Sequence, residues 1–182
     1  MLRAPSLSLL TLSAALFALA QPAMAADGDP CLRFTWDVTR ELAVMAQAAQ
    51  TSVAGTKSGN DLPVFALDTL YDLQLAPQAS VIFIAKPAKP TLDDGAQAGL
   101  VRFKTTKAGR YRIAITSGHW IDVIEGETVI SSRDFQGQRG CERPRKIVEY
   151  ELPGEREFIL QLSGTTDARV AIAVTSATMP TK

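Results

Sequence analysis

Residues 100–131 read LVRFKTTKAGRYRIAITSGHWIDVIEGETVIS, and the alternation of apolar and polar side chains in this stretch decides the fold class. Val101 and Phe103 alternate with basic residues, and the same period of two resumes after the turn at Gly109. A period of two is typical of a strand that buries one face. The stretch therefore predicts several short strands joined by tight turns.

The alternation continues toward the end of the chain, through residues 148–152, 158–162 and 170–174. Residues 81–84 (VIFI) form a short apolar run between prolines, which is typical of a strand buried on both faces. No helical pattern separates the later strands, which argues against a βαβ fold. We predict a mainly β protein, an antiparallel β-sandwich or jelly roll of about eight to nine strands with one N-terminal helix.

Residues 36–53 have a helical period and predict that helix. Apolar side chains recur at three- and four-residue spacing, at Val38, Leu42, Met45 and Ala49. Gly55 is a suitable stop for a helix of this length.

The first 25 residues have the three parts of a secretory signal peptide. Arg3 supplies a positive start, residues 9–20 form an uncharged apolar run, and residues 23–25 (AMA) offer the small side chains that signal peptidase recognises. The run is short for a permanent transmembrane helix. We therefore expect cleavage between Ala25 and Ala26, and a mature chain that is periplasmic or secreted.

The mature chain is expected to form a single domain over residues 26–182. Removing 25 residues from 182 leaves 157, which is enough for one ordinary core. Arg3 leaves with the signal peptide, so 18 of the 19 basic side chains face 19 acidic ones and the net charge is −1. This balance argues against nucleic acid or an anionic membrane surface as a partner. No later apolar run is long enough to span a membrane.

Two cysteines, Cys31 and Cys141, remain after cleavage. In an oxidising compartment we expect them to form a disulfide. A metal site is disfavoured because neither lies in a CxxC motif, and a catalytic thiol would need His119 as its base. Residues 27–30 (DGDP) are unlike the small apolar residues that precede a lipid-anchored cysteine. The chain-entropy model gives a bridge over such a long loop about 4–5 kcal/mol.

His119 is the single histidine of the chain, and histidine is the side chain whose ordinary pKa lies near neutral pH. Ser117 lies two residues earlier, on the same face of a strand, and Asp122 lies three residues later. A Ser–His–Asp triad, however, assembles residues from distant parts of a fold around an oxyanion hole, and no GxSxG elbow is present. We interpret residues 117–119 as a turn between two strands, with His119 as a candidate binding residue and no catalytic residue assigned.

The densest basic stretch is the loop formed by residues 133–146. Four of its side chains are candidates for binding a phosphate, a carboxylate or an acidic glycan: Arg139, Arg143, Arg145 and Lys146. The competing interpretation is a solvated loop whose arginines pair with Glu149 and Glu151 on a neighbouring strand, and this is the default for surface charges.

The two tryptophans and the acidic residues complete the candidates. Trp120 opens a strand beside a turn, where an exposed indole can stack on a sugar ring, whereas Trp36 is expected to fill the core near Cys31. No DxDxDG-like spacing of calcium ligands is present, and residues 93–94 (DD) suit a solvated loop. The sequence therefore predicts no metal and no cofactor.

One part of the sequence carries a family resemblance. A strand ending in Phe103 is followed by residues 108–111 (AGRY), an alternating strand and a strand with Asp122, which resembles the core of the bacterial pre-peptidase C-terminal domain. Residues 150–174 extend this resemblance, which implies a jelly roll. Members are accessory modules beside secreted proteases and some bind calcium, but this sequence carries neither a protease partner nor an acidic ligand cluster. The whole layout is also similar to small uncharacterised proteobacterial periplasmic β-sandwich proteins with an N-terminal helix and two cysteines.

These observations favour a non-enzymatic module that binds a ligand or an envelope protein, for example a glycan. The alternatives are a hydrolase that uses His119, and a structural or inhibitory partner of an envelope enzyme.

Overall fold

The computed structural model describes residues 28–88 and 94–177. The expected signal peptide, its cleavage site and Asp93 lie outside the described residues. Within those two ranges, no helix has both the length and the apolar character needed to cross a bilayer.

The described residues form one α-helix, two short 3-10 helices and twelve strands. The helical elements are a 3-10 helix at Pro30–Arg33, α1 at Thr39–Met45 and a 3-10 helix at Gln78–Ser80. The strands are β1 (Gln50–Val53), β2 (Val64–Phe65), β3 (Tyr71–Gln74), β4 (Ala76–Pro77), β5 (Gln97–Lys104), β6 (Gly109–Ile115), β7 (Trp120–Glu125), β8 (Thr128–Ile130), β9 (Asp134–Gly137), β10 (Lys146–Leu152), β11 (Glu157–Thr165) and β12 (Arg169–Ser176).

The strands form a sandwich of two six-stranded sheets. Sheet I has the order β1-β3-β12-β6-β10-β9, and sheet II has the order β2-β5-β11-β7-β8 with β4 also pairing with β5. The ladders are antiparallel except β1–β3 and β2–β5 at the sheet margins, which are parallel. The predicted mainly β sandwich with an N-terminal helix is confirmed. The strand count exceeds the prediction because four strands were not predicted and the predicted strand at residues 81–84 is absent. β2 and β4 are two residues long and have no period to detect, β1 lies in the predicted helix, and β9 lies in the stretch of residues 133–146 that was predicted to be a loop.

The main core lies between the two sheets and is built from the alternating residues. Tyr111, Ile113 and Ile115 of β6 point into it from sheet I. Phe103 and Phe158 meet them from sheet II, with their ring centroids 5.5 Å apart on neighbouring strands. The period of two therefore placed the inward face of these strands correctly.

Both outer faces of the sandwich are also covered by chain. Residues 28–49, the N-terminal segment, pack through Phe34, Val38 and Met45 on the outer face of sheet I. Residues 81–88, the strap, lie over the outer face of sheet II. The middle of β6, a strand of sheet I, is buried on both faces because the N-terminal segment covers the outer one.

A buried ionic cluster lies between the N-terminal segment and sheet I. Arg112 of β6 has Glu149 and Thr175 as its neighbours in register on β10 and β12. Its Nε donates to Glu149 Oε2 at 2.9 Å, and its Nη1 lies 3.5 Å from the carboxylate of Glu41 on α1. Thr175 Oγ1 donates to the other oxygen of Glu41 at 2.7 Å. One guanidinium therefore compensates two buried carboxylates from different elements.

The same guanidinium also binds the chain in front of α1. Its Nη1 donates to the backbone carbonyl of Asp37 at 2.8 Å, and its carbon lies 4.7 Å from the ring centroid of Trp36. The half-buried Trp36 packs against the same apolar cluster as Cys31, as the sequence predicts. Arg112 thus joins the helix, the indole and the sheet at one point.

The helix is shorter than predicted. α1 ends at Met45, and residues 50–53, which were predicted to be helical, form β1. β1 pairs with β3 from Gln50 to Val53, so ladder hydrogen bonds replace helical ones. Thr51 and Val53 are β-branched, which favours a strand where a partner strand is present.

The prediction of a strand at residues 81–84 is wrong. The Ile84 N–H donates to Gln161 Oε1 at 3.2 Å, and three of the four side chains pack on the outer face of sheet II. Ile82 points away and is 69% exposed. The run is apolar because it covers a sheet, and not because it lies within one.

The predicted disulfide is confirmed. Cys31 and Cys141 are bonded, with their Cα atoms 4.8 Å apart and a sequence separation of 110. The bridge ties the first 3-10 helix to the loop between β9 and β10.

We expect Arg112→Ala to destabilise the protein by roughly 3–5 kcal/mol, because it leaves the buried carboxylate of Glu41 without a cation and that of Glu149 with only the half-exposed Arg110. The matched control is Arg110→Ala, which removes a half-exposed arginine 3.8 Å from Glu149 and should cost less than about 1 kcal/mol. Urea denaturation of both variants measures the difference. Equal losses would show that the buried cluster contributes no special stability.

Candidate functional site

A cleft of about 630 Å³ opens on the outer face of sheet I, beside the loop of residues 138–145 that joins β9 to β10. Two lining residues come from central strands of the sheet: Thr116 directly follows β6, and Ala171 lies near the start of β12. The loop supplies the others: Gln138, Arg139, Gly140, Cys141, Glu142, Arg143 and Arg145. The cleft thus includes three of the four basic residues that the sequence marked as candidates.

Hydrogen bonds fix both ends of this loop. The Gln138 N–H donates to the carbonyl of Arg145 at 3.0 Å, and the Arg145 N–H donates to the carbonyl of Ile115 at 2.9 Å. The amide Nε2 of Gln138 donates to the carbonyl of Arg33 at 2.9 Å. Because Ile115 points into the sandwich, the next residue, Thr116, faces the outer side where the cleft lies.

The middle of the loop is fixed to the N-terminal segment. The buried Cys141 forms the disulfide with Cys31. Gly140 has a φ of +91°, and a Cβ at this position would lie 3.3 Å from the Cγ of Pro30. The positive φ therefore favours glycine at this position, and a larger side chain would also press on Pro30. The cleft wall is held in place by covalent and backbone constraints.

Arg139, Arg143 and Arg145, which we call the cleft arginines, have exposed side chains. Among residues 28–88 and 94–177, none of these side chains forms an ion pair or a hydrogen bond. Glu142, the acid in the lining, likewise has no ion-pair partner in that part of the chain. The cleft therefore presents three guanidinium groups whose donors are directed to solvent.

The two glutamates proposed as partners for these arginines are occupied elsewhere. Glu149 binds Arg112 inside the ionic cluster, and Glu151 pairs with Arg133 at 3.2 Å. The pairing in the default interpretation thus holds for Arg133, whereas the cleft arginines are solvent-exposed but do not pair with either glutamate. Which arginines remain available is decided by the register of β10 against β6 and β9.

Lys146, the fourth basic candidate, lies outside the lining. Its Nζ donates to the backbone carbonyl of His119, so it bridges β10 of sheet I to the start of β7 in sheet II. The ammonium group thus binds at one end of the sandwich and does not join the cleft arginines.

His119 is fully buried at that end of the sandwich. Its Nδ1 lies 2.6 Å from Ser117 Oγ, and its Nε2 lies 3.1 Å from Thr165 Oγ1. Burial lowers the pKa of His119 to about 4; the nearby ammonium of Lys146 acts in the same direction and Asp167 opposes it. The imidazole is therefore neutral near pH 7 and enclosed by its own hydroxyl partners.

Asp122 and Trp120 lie on the outer face of sheet II, opposite the cleft. The indole Nε1 of Trp120 donates to Asp122 Oδ1 at 2.8 Å, and Gln161 Nε2 lies 3.5 Å from Oδ2. Burial raises the pKa of Asp122, although these hydrogen bonds act in the opposite direction. The structure therefore does not join Asp122 to His119, and it does not bring Trp120 to the cleft arginines.

In addition to Gly140 and Glu142, which lie inside the basic loop, three more lining residues were not singled out by sequence reasoning. Thr116 and Ala171 reach the cleft because β6 and β12 are neighbours, and Gln138 reaches it through its bond to the N-terminal segment. A single sequence carries no signal for such long-range pairing. The one available signal was the position of Gln138 beside Arg139 in the polar loop.

Comparisons with known proteins do not assign this chain to a family. Family models, curated proteins and solved structures give no match to the chain. The resemblances described above therefore stay predictions. Across the described residues, no group of three or more His, Cys, Asp or Glu side chains is arranged to hold a metal ion.

The burial of His119 predicts a pH-dependent stability. Between pH 6.5 and pH 4 the unfolded chain takes up a proton on His119 while the folded protein keeps it neutral, so the free energy of unfolding falls as the pH falls. The full effect is about 3 kcal/mol. Denaturation at several pH values should show this slope in the wild type and its loss in His119→Gln. Parallel pH profiles of stability for the two proteins would contradict the lowered pKa of His119 in the folded protein.

Removing the bridge with Cys31→Ser and Cys141→Ser should lower the free energy of unfolding by about 4 kcal/mol, because the unfolded chain gains the entropy of a long open loop. The loop of residues 138–145 should also lose hydrogen-exchange protection before the strands do. Calorimetry and hydrogen exchange check the two parts. An unchanged exchange rate in the loop would show that the bridge does not hold the cleft wall.

Proposed function

We propose that the protein is a non-enzymatic β-sandwich module that binds an anionic ligand, or an anionic part of an envelope partner, in the arginine cleft. One observation carries this proposal. Three arginines line a cleft without an acidic partner among the described residues, although two glutamates are near in sequence.

The chemistry of the lining supports an anion as the ligand. A guanidinium group offers planar, paired donors that match carboxylate and phosphate oxygens. Binding here breaks no ion pair among the described residues, since Arg139, Arg143 and Arg145 have none. The disulfide, Gly140 and the Gln138 hydrogen bonds hold the loop beforehand, which lowers the entropic cost of ordering it around a ligand.

The periplasm or the extracellular space is the compartment we propose. The expected signal peptide supports this location, and the Cys31–Cys141 disulfide agrees with it because disulfides persist in oxidising compartments.

A hydrolase centred on His119 is the second candidate, because Ser117 Oγ lies 2.6 Å from its Nδ1. Both side chains are buried, and the carboxylate of Asp122 binds Trp120 instead. A substrate would need to reach an enclosed pair, and the nearby carboxylate of Asp167 accepts a hydrogen bond from Thr165 and not from His119, so we favour the binding module. Ester or peptide turnover that is present in the wild type and absent in His119→Ala would reverse this preference.

Anion binding can be tested with citrate and inorganic phosphate by isothermal titration at low salt. Changing all three cleft arginines to Gln should weaken citrate binding at least hundredfold, since each charge-assisted contact contributes about 1.5 kcal/mol or more. Added salt should also weaken it.

The matched control for that titration is Arg133→Gln, an exposed arginine of the same basic stretch that already pairs with Glu151. We expect it to leave the affinity unchanged. Equal weakening by the control and the triple variant would show that overall charge, and not the cleft, attracts the anion.

A further inference from the structure

We infer that the ligand of the arginine cleft is an acidic sugar, a hydroxylated organic molecule that carries a carboxylate or a phosphate group. This inference rests on the proposed function of the cleft and adds the chemical class of its ligand.

The size of the cleft favours an organic molecule over an inorganic ion. A water molecule occupies about 30 Å³ in the liquid, so a cleft of about 630 Å³ is far larger than one small ion needs. An inorganic oxyanion would leave most of that space as solvent. Sites for small organic ligands have volumes of about 300–1,000 Å³, and the cleft falls inside this range.

The charge of the lining favours an anion of one or two charges. The cleft arginines contribute three positive charges, and Glu142 contributes one negative charge. A neutral sugar would leave this excess uncompensated. The described lining also offers no aromatic side chain on which a neutral ring could stack, because Trp120 lies on the opposite face of the sandwich.

The hydrogen-bond acceptors of the lining favour hydroxyl groups on the ligand. An ionised carboxylate such as Glu142 can only accept hydrogen bonds. Gln138, which also lines the cleft, uses its Nε2 to donate to the carbonyl of Arg33, so its Oε1 is the second acceptor that the lining residues offer. A plain dicarboxylate or phosphate would be repelled by Glu142 and would leave both acceptors unused. The hydroxyl groups of a sugar can donate to these acceptors while its acidic group binds the arginines.

The test uses five probes in isothermal titration with the wild-type protein: glucuronic acid, glucose 6-phosphate, glucose, succinate and inorganic phosphate. We expect at least one of the two acidic sugars to bind tenfold or more tightly than the other three probes. The comparison of glucuronic acid with glucose 6-phosphate shows whether the acidic group is a carboxylate or a phosphate.

The decisive variant is Glu142→Gln, which keeps the size of the side chain and removes its charge. Binding of the preferred acidic sugar should weaken about tenfold, whereas succinate and phosphate should bind equally well or more tightly because a like charge is gone. The matched control is Glu151→Gln, which changes a half-exposed acid that pairs with Arg133 outside the cleft. This variant should leave the affinities for the acidic sugar, succinate and phosphate unchanged.

The outcomes separate this inference from the proposed function. If succinate and phosphate bind as tightly as the sugars, or if Glu142→Gln strengthens every anion alike, the acidic-sugar inference fails while anion binding stands. If none of the anions binds, or if changing the three cleft arginines to Gln has no effect, both fail.

Discussion

The buried guanidinium of Arg112 is the interaction on which the arrangement of the molecule depends. A charge in the interior is tolerated only when it is paired, and Arg112 takes one carboxylate from its neighbouring strand and one from α1. The carboxylate of Glu41 therefore has to lie over the middle of sheet I, and it brings the N-terminal segment with it. That placement sets Cys31 beside Cys141, which in turn fixes the wall of the cleft. A charge pair in the interior and a binding surface at the rim are thus connected through one segment of chain.

The sequence predicted those parts of the fold that depend on local pattern. The period of two in residues 100–131 identified β5, β6 and β7 and their inward faces, because alternation is a property of each strand alone. It failed where tertiary pairing overrides local preference. Residues 50–53 continue an apolar stripe of helical period, yet they pair with β3. The run at residues 81–84 has strand composition, yet it covers the outer face of sheet II.

The candidate site was predictable in its residue types and not in its geometry. The basic stretch was evident, and the compartment argument predicted the disulfide beside it. Which arginines stay available depends on Glu149 turning toward Arg112 and Glu151 toward Arg133, and these partners are set by strand register. His119 and Trp120 attracted attention as rare residue types, but rarity carries no information about burial. The first is enclosed at one end of the sandwich, and the second binds Asp122 on the far face.

The disulfide has a consequence for the integrity of the chain. It joins residues separated by 110 positions, and that interval contains β1 to β9 together with their connecting loops. A protease that cuts the backbone once, at any exposed loop between the two cysteines, leaves both pieces covalently attached. The strands of each sheet would also stay paired across the cut. A single nick therefore yields one molecule whose mass increases only by that of one water, and the two fragments separate only after reduction and unfolding.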